Sequence, residues 1–338
     1  MTRRRLKLCA AVAASLLAWR SAAIAGTPAP PPLAASIPDG AGGTIVVWEE
    51  FRSATNNDIY AQKLNAAGVT QWAAGGVVVC AAAERQQSPQ LVSDGAGGVI
   101  VAWLDSRSGA VHVYAQRVNA AGAPQWTPDG VALCTAANSE SGAQITSDGA
   151  GGAIVVWEDG RGSSHDIYAR RVDAAGVPQW TLDGVALCTA PRDQVTPQVA
   201  SDGAGGAIVT WSDNRFIADY DIFAQRVSAA GAPLWDPDGV ALCVVTENQN
   251  HPRLASDGAG GAIVVWEDHR NTVDYDIYVQ AIDAAGVPQW TGDGVALCAA
   301  GHDQLNPRIV SDGAGGAIAP GRTTGSARSA SPTSTRGA

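Results

Sequence analysis

The stretch Asp202-Gly203-Ala204-Gly205-Gly206-Ala207-Ile208-Val209-Thr210-Trp211 decides the architecture, because its Asp-Gly-Ala-Gly-Gly opening also begins at Asp39, Asp94, Asp148, Asp257 and Asp312. Successive copies are 54 or 55 residues apart. A unit this short, copied with so little drift, cannot bury its own apolar residues. It must stack on its neighbours, as the units of propellers and solenoids do.

Working outward from that stretch, Pro197 to Ser201 predicts a first strand and Asp202 to Gly206 a glycine hairpin. Ala207 to Trp211 is nearly all apolar, as expected of a strand covered on both faces. Asp221 to Val227 predicts a third strand, Ala229-Ala230-Gly231 a turn, and Pro233 to Trp235 with Gly239 to Cys243 the outer strand. The expected fold is all-β: a propeller of four-stranded antiparallel blades, five complete and one partial. Blade limits fall near 34–85, 86–140, 141–194, 195–248 and 249–303, with the partial blade over 304–318.

Tryptophans occupy two fixed offsets, Trp48, Trp103, Trp157, Trp211 and Trp266 in the second strand, and Trp72, Trp126, Trp180, Trp235 and Trp290 before the fourth. Apolar neighbours and presence in every full copy mark them as blade packing rather than sugar platforms. Cys80, Cys134, Cys188, Cys243 and Cys298 also hold one equivalent position per unit. Equivalent points on successive blades lie beyond bridging distance, so these read as small buried apolar residues, not disulfides. No CxxC or HExxH occurs, and the sequence calls for no metal and no cofactor.

The chain begins with a basic segment (Arg3, Arg4, Arg5, Lys7), an apolar run from Leu6 to Trp19 and a small-residue site, Ala23-Ile24-Ala25. This is the pattern of an export signal, too short to span a membrane, which predicts a secreted or periplasmic protein. A Pro-rich leader (26–33) follows. Cleavage after residue 25 takes five of the 22 basic residues and none of the 32 acidic ones, leaving 17 against 32, a net −15. Such a surface repels phosphate backbones, so nucleic acid is excluded as a partner. No later segment is long and apolar enough for a membrane span.

Asp257 to Gly261, Trp266 to Arg270 and Asp276 to Gln280 together resemble the repeats of exported bacterial β-propeller proteins, with their Asp-Gly-x-Gly-Gly, Trp-(Glu/Asp)-Asp-x-Arg and Asp-Ile-Tyr-Ala-Gln-Arg-Val motifs. The resemblance spans roughly residues 37–318 and implies a propeller-like fold without established catalytic residues. The first copy departs with Glu50 for Asp, and the second with His112 for the third-strand Asp.

After Ile318 the repeat breaks into Ala319-Pro320-Gly321-Arg322. Reverse translation in a shifted frame permits the repeat's own second and third strands, which suggests a single-base deletion near the codon of Ala319. As written, 319–338 reads as a disordered tail. The ring would then keep an unclosed edge open to self-association.

Strand alternation puts the glycine hairpins on one rim and the varied loops on the other. The varied rim carries the ligand-binding candidates His112, His165, Phe216, Tyr220, His251, His269 and Tyr275, together with Phe51 and His302. Glu158-Asp159-Gly160-Arg161 and its counterparts offer paired carboxylates of the kind glycoside cleavage uses, but their recurrence reads as Asp–Arg bonding that ties the loop down. Only four or five residues separate that Arg from the third strand, short for enclosing a substrate. The expectation is therefore a non-catalytic exported module that binds a glycan or protein. Its alternative is a polysaccharide-cleaving enzyme, glycosidase or lyase, built on asymmetric carboxylates of the varied rim.

Overall fold

The computed structural model describes residues 34–52, 56–216, 219–320 and 322–323. The export signal, the leader and most of the tail lie outside the described residues. The chain is a β-propeller. Five four-stranded antiparallel sheets follow one another, each pairing its strands in sequence order.

The fourth blade shows the plan, with strands Gln194–Ser201, Ala207–Asp213, Asp221–Val227 and Val240–Cys243. The first strands of neighbouring blades lie against one another and so gather round the axis, while the fourth strands are outermost. The first strands of the five sheets open at Ala34, Gln86, Glu140, Gln194 and Gln249, so that of the fourth blade starts three residues earlier than Pro197. A bulge explains the missed start: the register slips between Val195 and Gln198, where Thr196 takes a φ of +55° ahead of Pro197.

The hairpin glycines are fixed by crowding as well as by turn geometry. A Cβ on Gly98 would sit 2.2 Å from the Val118 carbonyl oxygen. The preceding aspartate locks the same turn, with Asp94 Oδ1 accepting the N–H groups of Ala96 and Gly98 at 2.8 Å.

Both tryptophan sets pack between blades. Trp103, Trp157, Trp211 and Trp266 are fully buried, each removing an area whose transfer from water is worth on the order of 5 kcal/mol. Trp103 joins the core of the first blade, and Trp157 that of the second. The other set seats the next blade's turn: Trp72 Nε1 donates to the Ala120 carbonyl at 3.0 Å, and the Gly122 backbone rests on its ring. Among the described residues no such turn covers Trp290, which is 43 % exposed.

Cys80, Cys134, Cys188 and Cys243 are buried free thiols, and Cys298 is half-buried. The sixth unit is fragmentary: Val310–Ser311 pairs with Ala317–Ile318, and Gln304–Leu305 pairs with Arg322–Thr323. That last pairing is a correction, since Arg322 and Thr323 fall in the stretch assigned to a disordered tail. Among the described residues no helix is long and apolar enough to cross a membrane.

Candidate functional site

The Trp-x-Asp-x-Arg stretch divides into a structural and an asymmetric part. In the fourth blade the buried Asp213 accepts Trp211 Nε1 at 2.9 Å and Arg215 through both oxygens at 2.9 and 2.6 Å. Arg215 also donates to the Asp238 carbonyl and lies 3.8 Å over the Phe223 ring. The same arrangement recurs at Asp105, Asp159 and Asp268, with Glu50 standing in for Asp in the first blade. Burial opposes ionisation of Asp105 and Asp159, yet the Arg and Trp hydrogen bonds outweigh it and hold both carboxyls below the usual range. These pairs tie the loop down, as expected from their recurrence.

The residue after the tryptophan behaves differently. It is Glu49, Glu158 and Glu267 in the first, third and fifth blades, but Leu104 and Ser212 in the second and fourth. Strand alternation turns it away from the indole, toward the first strand of the following blade. There the bulge has rotated a backbone N–H to meet it. Glu49 Oε1 accepts Ser88 N at 2.6 Å, Glu158 Oε1 accepts Thr196 N at 2.7 Å, and Glu267 Oε1 accepts Asn306 N at 2.6 Å. Ser88, Thr196 and Asn306 all carry a φ of +55°. Each of the three carboxylates is thus held on the first strand of the following blade, on the varied rim, with Glu49 and Glu267 buried.

Each carboxylate keeps a second oxygen for a distinct partner. Glu158 Oε2 accepts Ser141 Oγ at 2.6 Å, and Tyr220 stands close by, its phenol pushed up by burial and by the charges of Asp193 and Glu158. Glu267 Oε2 lies 2.8 Å from His251 Nδ1. That hydrogen bond raises the imidazole above its ordinary value, with burial acting against it. The His251 side chain is 60 % exposed, and its backbone sits at the bulge with a φ of +51°. Glu49 Oε2 accepts Asn57 Nδ2 at 3.2 Å, with Arg85 3.7 Å away.

The rim candidates fare unequally. His251 lies on Glu267, and Tyr220 lies near Glu158. His269 and Tyr275 meet each other, ring centroids 4.7 Å apart, with Glu247 3.7 Å from the imidazole. His165 contacts Asp193 at 3.3 Å, and Phe216 is exposed, tilted against Phe223. Phe51 and His302 are exposed, and the His302 backbone N–H donates to Asp274 Oδ2 at 2.8 Å, next to Tyr275. His112 needs correction. It is 5 % exposed, with Nδ1 2.9 Å from Glu140 Oε2 across the interface of the second and third blades, and so cannot meet a ligand from solvent. Glu49, Glu158 and Glu267 were missed because a Glu beside a recurring Asp reads as part of the same loop-tying motif. The signal that separates them is their absence from two of the five blades.

Two further groups of carboxyls sit where third strands begin. Burial, then the charge of Asp159, raises Asp166 to about 6, and burial, then Asp213, raises Asp221 to about 7. Both are buried in the rim, opposite Asp159 and Asp213 in register.

No family model matches the chain, and no curated protein matches it. Solved structures do. A thermostable family-43 glycoside hydrolase matches over 77% of this chain and 93% of its own, at 10% identity and a TM-score of 0.41. An alpha-L-arabinanase of Penicillium chrysogenum, complexed with arabinobiose, matches over 70% and 74%, at 13% identity and 0.42. A protein of unknown function from Dyadobacter fermentans matches over 82% and 86%, at 10% identity and 0.47. At such identities the likeness is one of fold. Two of these three structures are described as glycoside-cleaving enzymes, which runs against the expectation of a non-catalytic binding module.

Proposed function

We propose that the chain is an exported enzyme that hydrolyses glycosidic bonds on the varied rim, with Glu158 as general base and His251, held by Glu267, as general acid. The supporting observation is the set of asymmetric carboxylates held on the following first strands by the bulges, a placement that no blade-building role requires in the second and fourth blades. Bulges re-aim side chains and concentrate beside functional sites.

The chemistry asks for one group that accepts a proton from water and another that gives one to the leaving oxygen. Glu158 takes the water proton as the oxygen bonds the anomeric carbon. The His251 imidazolium, favoured by Glu267, protonates the glycosidic oxygen as its bond to that carbon breaks. Proton exchange with solvent then restores both groups. Ser141 and Thr196 orient Glu158 through its two oxygens.

The test is reducing-end release from a panel of polysaccharides. Glu158→Gln and His251→Asn are each expected to lower it about 100-fold or more with unchanged melting. Release by the native protein that neither change affects would remove the assignment.

A further inference from the structure

The interface between the second and third blades breaks the repeat at two positions that touch. Where the other interfaces place Asp58, Asp166, Asp221 and Asp276 against Gln86, Gln194, Gln249 and Gln304, this one has His112 against Glu140. Here the fourth strand of the second blade is shortened to Val131–Ala132, whereas the other blades extend it to the cysteine, and an imidazole and a second carboxylate gather near a buried thiol. Cys134 Sγ lies 3.3 Å from Glu140 Oε1 and 3.8 Å from Asp159 Oδ2, and the thiol and the two carboxylates offer donor atoms all within 4.8 Å of one another. All four side chains are buried.

We infer that Cys134 and Glu140, with Asp159 within reach of both and the His112 imidazole on Glu140, form a binding site for a thiophilic divalent cation, zinc by preference. A tetrahedral zinc with bonds of about 2.0–2.3 Å sets its ligand atoms about 3.3–3.7 Å apart, which the thiol–carboxylate spacings already approach. The 2.9 Å contact of His112 Nδ1 with Glu140 Oε2 is the hydrogen bond that the metal replaces, releasing the thiol proton on binding. Asp159 is committed to Trp157 and Arg161, so it closes the site as the nearest fourth oxygen rather than supplying the primary donor.

A second observation comes from the arginine. In the equivalent interfaces a guanidinium nitrogen lies 3.1, 3.3 and 3.2 Å from Cys80, Cys188 and Cys243, whereas Arg161 lies 3.6 Å from Cys134. The thiol that faces Glu140 is the one its arginine holds least closely. The mixed nitrogen, sulfur and oxygen donor set selects zinc or cobalt over calcium or magnesium, which take oxygen alone.

The test adds Co²⁺ to the intact, reduced and metal-free protein. A thiolate-to-cobalt charge-transfer band and tetrahedral visible bands should appear at one equivalent per chain and vanish on adding Zn²⁺. The double change His112→Asp with Glu140→Gln restores the pair used by the other four interfaces, so it keeps the fold, and circular dichroism checks that it does. It should abolish the band, as should Cys134→Ser. A native protein that gives no band, or a band that persists in the folded double variant, overturns the site.

Discussion

Asp213 accepts the indole N–H of Trp211 at 2.9 Å while remaining wholly buried, two residues along the same strand. This contact closes the upper edge of the blade and presents the carboxylate to Arg215, whose side chain is only 15 % exposed. Changing Asp213 to Asn keeps an acceptor for the indole but strands the guanidinium. The expected cost is about 3 kcal/mol, since removing one partner leaves a largely buried charge uncompensated. Urea unfolding of the variant measures it, and in a stacked array the loss should fall on the fourth blade and its neighbours. A loss near zero would mean that water compensates Arg215.

Two glycines with similar backbones separate strain from crowding. Gly149 has a φ of +74° with open space around it, whereas Gly122 has a φ of +83° and a Cβ there would lie 2.7 Å from the Trp72 ring. Gly149→Ala should cost about 1 kcal/mol from backbone strain alone. Gly122→Ala adds displacement of a buried ring and should cost clearly more, with Trp72 fluorescence shifting to the red. Equal effects in thermal melting would contradict the seating of one blade's turn on the previous blade's tryptophan.

The raised carboxyls give stability a definite pH dependence. Asp166 and Asp221 titrate at about 6 and about 7 in the fold against 3.8 for an ordinary Asp, so the folded chain holds more protons than the unfolded one between these values. Stability from these groups therefore falls as pH rises from about 4 to about 7 and stays low above it. Asp105 and Asp159, shifted the other way, lose their contribution only as pH drops below 3.8. Melting temperature should peak in the mildly acidic range. Asp221→Asn removes that titration and should flatten the decline between about pH 4 and pH 7.

Catalysis should carry the signature of the His251–Glu267 pair. With His251 acting as an acid raised above 6.5 by Glu267, the basic limb of the pH–rate profile lies above that value. Glu267→Gln should move the limb downward. A limb unmoved by that change would take His251 out of the acid role.

Much of the fold was legible because its determinants are local and repeated. Asp94 with Gly98, and Trp103 with its apolar strand, each announce one turn or one buried face, and the period multiplies the signal. The site was harder to read. Glu158 looks like the neighbour of Asp159 in a loop-tying motif until the bulge at Thr196 brings a backbone N–H round to it from the next blade, a contact across 38 residues. His112 reads as a rim residue because it opens the third strand straight after a loop, yet Glu140, 28 residues on, draws it into the interface. Such pairings depend on how blades meet, which periodicity alone does not encode. Trp290 illustrates the reverse case, a residue of the packing set that no turn covers among the described residues.

The most direct measurement of the central claim is cleavage of a polysaccharide in heavy-oxygen water, with early products read by mass spectrometry. Hydrolysis on the varied rim predicts saturated fragments that each carry one heavy oxygen at the new reducing end, and their loss in Glu158→Gln. Unsaturated fragments without the label, or no fragments from any polysaccharide offered, would contradict it.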